Sequence, residues 1–250
     1  MLTRVAKTPV SKFMPKVPKV PGVDAMPGAG RRAAYSASTK RALVDVAEEL
    51  FTANGYAATS LDAVVAGAQV TKGALYHHFS GKQALFEAVF ERVEEDAARR
   101  IQQALRAHRD PWEKAREGLR AFLTVVREPG YRTIVIQEGP SVLGYERFRA
   151  QEERSTYASV VEIVRSTLAA GSWDLPEEML QTYAQIFFGA LSSAGASVAT
   201  ASDPALAAQR VEAAIGFLLS GVEGLVAAGV ELPNGVGRAT VGDPAEEARG

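Results

Sequence analysis

At 250 residues, the chain is long enough for two domains with separate cores, and 47% apolar with 23% charged residues is an ordinary globular balance. Zero cysteines exclude a disulfide framework, a thiolate nucleophile and a sulfur-ligated zinc site, and no apolar run approaches the ~20 residues that cross a bilayer, so no membrane partner is expected. The formal net charge of −1 hides a division, because residues 1–41 hold nine Lys/Arg against one acid, Asp24, for +8, and the remainder carries −9. A basic N-terminal segment of that kind is drawn to phosphates by counterion release, an attraction that falls steeply with salt. It lacks the continuous apolar stretch of a signal peptide, so a cytoplasmic location is expected.

In chain order, residues 1–35 contain Pro9, Pro15, Pro18, Pro21 and Pro27 with Gly22, Gly28 and Gly30. They have neither helical nor strand period, which predicts a flexible basic arm with a polyproline II bias. Met14 and Met26 leave open a later translation start, so a role for the arm and no role stand side by side. From Thr39 the pattern turns helical: Leu43, Val44, Ala47, Leu50 and Phe51 form one apolar stripe, which Gly55 is expected to end. A second helix is expected after Thr59-Ser60, either of whose hydroxyls suits an N-cap, with Leu61, Val64, Val65 and Ala68 inward. After a tight turn at Gln69-Val70, a third helix over about 71–78 buries Val70, Leu75 and Phe79 and presents Lys72, Gly73, Tyr76 and His77. Ser80 is expected to cap a long fourth helix with the stripe Leu85, Phe86, Val89, Phe90 and Val93, on which Glu91, Glu94, Glu95 and Asp96 read as a solvated face.

Asp110-Pro111-Trp112-Glu113 reads as a helix start, with an acidic cap and proline in the first turn, and Pro129-Gly130 as its stop. One or two turns over 131–138, interrupted by Gly139-Pro140 and Gly144, precede a helix from about Tyr145 to Ala170. Pro176 and Asp203-Pro204 open two last helices, about 176–200 and 204–228, as an antiparallel pair. The expected fold is all-α. A flexible arm (1–35) precedes a three-helix helix-turn-helix domain (36–82), a helical dimerisation and effector domain reached through the long fourth helix (83–229), and a flexible tail (230–250).

Two short helices across a tight turn, braced before and behind, are the geometry that seats a recognition helix in the major groove of double-stranded DNA. Thr71 and Lys72 stand where helix-start amides attract phosphate and a lysine can donate to guanine O6/N7. Gly73 permits close approach, and Tyr76 and His77, about a turn on, can reach phosphate or a thymine methyl. Thr59, Ser60 and Lys82 are candidate phosphate clamps, Lys40 a further contact on the first helix, and Arg31 and Arg32 phosphate or minor-groove contacts of the arm. His77 and His78 are adjacent, so on a helix they diverge by about 100° and do not chelate one metal; no metal site and no cofactor are expected. Neither a nucleophile elbow, a Gly-rich phosphate loop nor a His-acid pair at ligand spacing supports an enzyme. A helical protein-interaction module without DNA binding is the remaining alternative.

The pattern Phe51-x3-Gly55-Tyr56-x2-Thr59-Ser60, then Val70-Thr71-Lys72-Gly73-Ala74-Leu75-Tyr76-His77-His78-Phe79-x2-Lys82-x2-Leu85, resembles the DNA-binding domain of the TetR family over about residues 39–90. The resemblance implies a helical homodimer, a palindromic operator, and repression relieved by a small-molecule effector bound in the C-terminal domain, with an activator or an effector-independent regulator as the alternative. Where that family usually has glycine in the turn this chain has Gln69, which is expected to hold a left-handed conformation at modest cost. An effector pocket would draw on Phe122, Tyr131, Tyr145, Phe148, Tyr183 and Phe187. Gly189, Ala190 and Ser193 on one late helix and Gly216, Gly221 and Gly224 on the next permit close helix approach. They serve either the packing of that hairpin or, as preferred here, a four-helix interface between two subunits.

Overall fold

The computed structural model describes residues 28–152, 157–171 and 175–230, and every regular element among them is helical. Helix α1 runs Gly28–Ala58 and is broken at Gly55, where φ is 77°. The break falls where the sequence places it, but the start does not: residues 28–35 are wound into α1 rather than extended, so a domain boundary at 36 would fall inside a helix. The rest of the expected arm, residues 1–27, lies outside the described residues, as does the expected tail beyond Val230.

Helices α2 (Leu61–Gly67) and α3 (Lys72–His78) are short, and each is capped by the hydroxyl just before it. Ser60 Oγ accepts from the Ala63 amide at 3.1 Å and Thr71 Oγ1 from the Ala74 amide at 3.2 Å. Such caps satisfy amides that the first turn leaves orphaned, at about 1 kcal/mol each. Between the helices Gln69 has φ 54°. Its amide bonds the Ala66 carbonyl at 3.3 Å and that of Val70 bonds Val65 at 3.2 Å, the two reversed bonds that close a helix through a left-handed residue.

Helix α4 (Lys82–Arg106) spans 25 residues, about 37 Å at 1.5 Å per residue. Leu85, Phe86, Val89 and Phe90 are fully buried, against Leu43, Phe51, Val64 and Leu75 of the first three helices at one end and Ile134 and Val135 at the other. One continuous core therefore runs through both halves of the chain. Arg92 pins α4 to α1 through Asp45 and Glu48 and through the Val44 carbonyl at 3.2 Å. Ser80 does not cap α4: Gly81 occupies that position in an extended conformation, with no side-chain cap bond.

Helix α5 (Pro111–Val125) starts as the sequence indicates, with Asp110 Oδ1 accepting from the Glu113 amide at 2.8 Å. A π-wound segment, Tyr131–Glu138, leads without interruption into α6 (Gly139–Leu143). Gly139-Pro140 thus does not break the chain's winding, because proline in the first turn of a new helical register forfeits no bond. Gly144, with φ 80°, does. Helices α7 (Tyr145–Glu152) and α8 (Ala158–Ala170) flank residues 153–156, which lie outside the described set. Helices α9 (Glu177–Thr200) and α10 (Pro204–Ala227) form the closing pair, α10 capped by Asp203 Oδ1 on the Leu206 amide at 3.0 Å.

Candidate DNA interface and C-terminal cavities

Helix α3 is sharply two-sided. Leu75 and then Phe79 anchor its underside in the core, while Lys72, Gly73, Tyr76 and His77 are exposed on the other side, Tyr76 by 58%. Ser60 and Thr71, exposed at the starts of α2 and α3, put two sets of helix-start amides near this face. Lys72 Nζ pairs with Asp62 Oδ1 of α2 at 2.7 Å, and the bond and charge of that carboxylate raise the ammonium's pKa. It is therefore cationic at neutral pH. A Cβ on Gly73 would meet only Thr71 Oγ1, at 3.8 Å; internal packing does not demand glycine there, whereas the close approach of a ligand would.

Lys82 stacks its ammonium 4.4 Å from the centre of the Tyr56 ring and donates to the Ala57 carbonyl at 3.2 Å. That holds one positive charge at the start of α4, beside the α1–α2 junction. Lys40, exposed on α1, stands 5.9 Å over the Phe79 ring, at the far end of α3. His78 is half-buried, and burial, then His77, then Lys40 push its imidazole pKa below the ordinary 6.5; it is neutral at neutral pH. Arg31 and Arg32 lie in the first turns of α1, their side chains outside the described residues.

Thr59 is a correction. It is 3% exposed and its hydroxyl donates to the carbonyls of Leu50 at 3.1 Å and Gly55 at 2.8 Å. It ties off the end of α1 instead of facing a phosphate. Two residues escaped the sequence reading: Asp62, the partner of Lys72, and Glu138 of the π-wound segment, whose carboxylate accepts the Tyr56 amide at 2.8 and 2.6 Å. A Cβ on Gly55 would stand 2.7 Å from Glu138 Oε1, so glycine is needed there for contact as well as for φ.

Farther along, Phe122, Tyr131, Tyr145 and Phe148 line one cavity of about 270 Å³ with Glu94, Arg149, Phe188 and Ser192. Glu94 is 5% exposed, with the Tyr131 hydroxyl donating to it at 3.0 Å, so it is not part of a solvated acidic face. Phe187 lines a second, smaller and almost wholly apolar cavity of about 130 Å³, which Phe122 also borders. Tyr183 lines neither of these; it packs on the satellite cluster of Val160, Val164, Leu168, Ala184 and Phe188, which corrects its placement in a pocket. Gly189, Ala190, Ser193, Gly221 and Gly224 are exposed and Gly216 half-buried, and a Cβ on any of these four glycines would meet nothing within 4 Å. These four glycines are thus not consumed by packing within the α9–α10 hairpin. The same two helices expose Phe217 by 79%, Ile186 by 62% and Leu218 by 60%.

Residues 43–89 match a family model described as bacterial regulatory proteins, tetR family, and residues 112–222 one described as tetracyclin repressor-like, C-terminal domain. A solved TetR-family transcriptional regulator from Pectobacterium atrosepticum is 30% identical, with a TM-score of 0.65 over 76% of this chain and 96% of that one. Another from Streptomyces coelicolor, 23% identical with a TM-score of 0.56 over 82% and 97% of the two chains, shares the fold. The HTH-type transcriptional activator FasR of Mycolicibacterium smegmatis is 35% identical over 94 residues, 37% of this chain and 43% of that protein. The chain therefore matches less than half the length of that curated relative. With both halves matched in order and a 30% identical neighbour aligned over nearly its whole length, this chain belongs to the TetR family of helix-turn-helix transcriptional regulators, not to a family of enzymes.

Proposed function

We propose that this chain is a cytoplasmic repressor that binds a palindromic operator as a homodimer, reads bases with α3, and is released by a small-molecule effector in its C-terminal half. The observation that carries the reading is the outer face of α3. Lys72, Gly73, Tyr76 and His77 stand together in solvent, a combination no packing role requires. Lys72 and Tyr76 are the base readers, His77 a further contact. Ser60, Thr71, Lys82 and Lys40 bind backbone phosphate, with Arg31 and Arg32 available from the start of α1. In the absence of DNA, Asp62 holds Lys72 and competes with phosphate for it. The π-wound segment supports effector control, since it borders the larger cavity through Tyr131 and touches the end of α1 through Glu138.

The test is selection of duplexes from a randomised pool by the wild-type chain, followed by footprinting of the selected site. Failure to enrich any palindrome overturns the reading. On the selected duplex, Lys72→Met and Tyr76→Phe are expected to cost about 1–3 kcal/mol per lost base contact and to relax specificity, whereas Lys82→Met weakens all sequences alike. A second reading, activation, is favoured by the FasR relative, which is named an activator. A reporter placed behind the selected site decides the sign.

A further inference from the structure

Lys72 and Asp62 come from different helices, and their side chains, 64% and 67% exposed, meet at 2.7 Å on the outward side of α3. Asp62 sits in the first turn of α2, just past the Ser60 cap, so the pair bridges the starts of the two helices. A lysine that only neutralised phosphate would gain nothing from this neighbour, because an acid on a DNA-facing surface repels the backbone and holds its own share of the ammonium. The carboxylate is matched only where a donor on the bases meets it. The major-groove edge of a G·C pair offers that arrangement. Guanine presents the acceptors N7 and O6, and beside O6 stands the N4 donor of cytosine, about 2.9 Å away across their hydrogen bond. The protein pair carries a donor and an acceptor at nearly the same spacing and in the opposite sense. An ammonium on guanine leaves the carboxylate oxygen beside cytosine N4, so both ends of the ion pair are satisfied without being parted. An A·T pair gives the ammonium one acceptor in place of two, either thymine O4 beside a methyl group or adenine N7. We infer that Asp62 is a specificity-determining residue and that it reads one G·C base pair of each half-site as a unit with Lys72, the lysine donating to guanine and Asp62 accepting from cytosine N4.

This rests on the reading of α3 as the base-contacting helix, and the test separates the two. Duplexes are selected by the full-length wild-type chain. Each base pair of one half-site is then replaced in turn, and competition binding is measured with wild type, Lys72→Met and Asp62→Ala. Both side chains are exposed, so neither variant opens the core. Both variants are expected to lose about tenfold in preference at the same base pair, a G·C. Placing 2-pyrimidinone opposite that guanine removes the N4 amino group of the cytosine. The change is expected to cost wild type about tenfold more than it costs Asp62→Ala, a comparison that cancels any weakening of the duplex itself. An Asp62→Ala chain with intact base preferences, at whatever affinity, makes Asp62 only a counter-ion to Lys72 and overturns the proposal. So does relaxation of different base pairs by the two variants, a shared pair that is A·T, or an equal cost of 2-pyrimidinone to wild type and Asp62→Ala. Enrichment of a palindrome together with any of these results leaves the α3 reading standing, whereas enrichment of none overturns both.

Discussion

Gln69 is the only non-glycine among the described residues with positive φ, at 54°. A left-handed residue with a Cβ costs about 1–2 kcal/mol, part of which glycine returns through its freer unfolded state. Gln69→Gly is accordingly expected to stabilise the protein by about 0.5–1 kcal/mol in urea denaturation; no gain would mean the turn is unstrained. His78 sets a pH dependence of opposite origin. Its pKa is depressed in the folded chain, chiefly by burial, so below the ordinary 6.5 the unfolded chain takes up a proton that the folded one resists. Stability contributed by this site is thus full above 6.5 and lost as pH falls through and below it. The His78→Gln variant is expected to lose less thermal stability than wild type between about pH 7.5 and 5; parallel losses would remove His78 as the cause.

The π-wound segment joins the two ends of the long core. Its Tyr131 and Val135 line the larger cavity, and its last residue, Glu138, holds the Tyr56 amide beside the Gly55 break in α1. Hydrogen bonds to a charged acceptor contribute roughly 1.5–3 kcal/mol when well formed, less where water competes. Glu138→Ala is expected to cost about 1–2 kcal/mol in chemical denaturation and to speed hydrogen exchange at the Tyr56 amide. Gly55→Ala is expected to cost more, since it combines the φ of 77° with a Cβ 2.7 Å from the carboxylate. A Tyr56 amide that exchanges at the wild-type rate in both variants would show that this contact does not hold the end of α1.

At the α9–α10 face, Arg116–Glu223 and Arg120–Glu212 draw α10 onto α5, which leaves Phe217 and Leu218 facing outward. Large apolar side chains this exposed are candidates for cover by a partner, and an isologous interface buries each residue twice. Phe217→Glu is expected to weaken self-association by about 3 kcal/mol or more, read as a shift to monomer in sedimentation equilibrium. On the proposed palindromic operator, affinity is expected to fall with it, because two half-sites bound by one dimer would become two independent events. A variant that remains dimeric places the interface elsewhere.

Helix stripes and caps were legible in the sequence because they are decided within a few residues. Ser60, Asp110 and Asp203 each cap an amide three positions on, Thr71 does so where the sequence reading expects no cap, Ser80 is expected to cap and does not, and the exposed face of α3 follows from the spacing of Leu75 and Phe79. The φ of Gln69 belongs with these, since any residue closing that turn must adopt it. Partners distant along the chain were not legible. Thr59 spends its hydroxyl on carbonyls four and nine positions back, Glu94 meets Tyr131 37 positions on, and Glu138 reaches back 82 positions to Tyr56. What an acid or a hydroxyl does depends on whether another element removes it from water, and only the packing of helices decides that. The sequence by itself thus determined where most helices lie and the face α3 presents, though not the start of α1 or the winding over 131–143. The tertiary structure decided which polar groups were buried and where the cavities opened, because both depend on neighbours that the chain brings together only by folding.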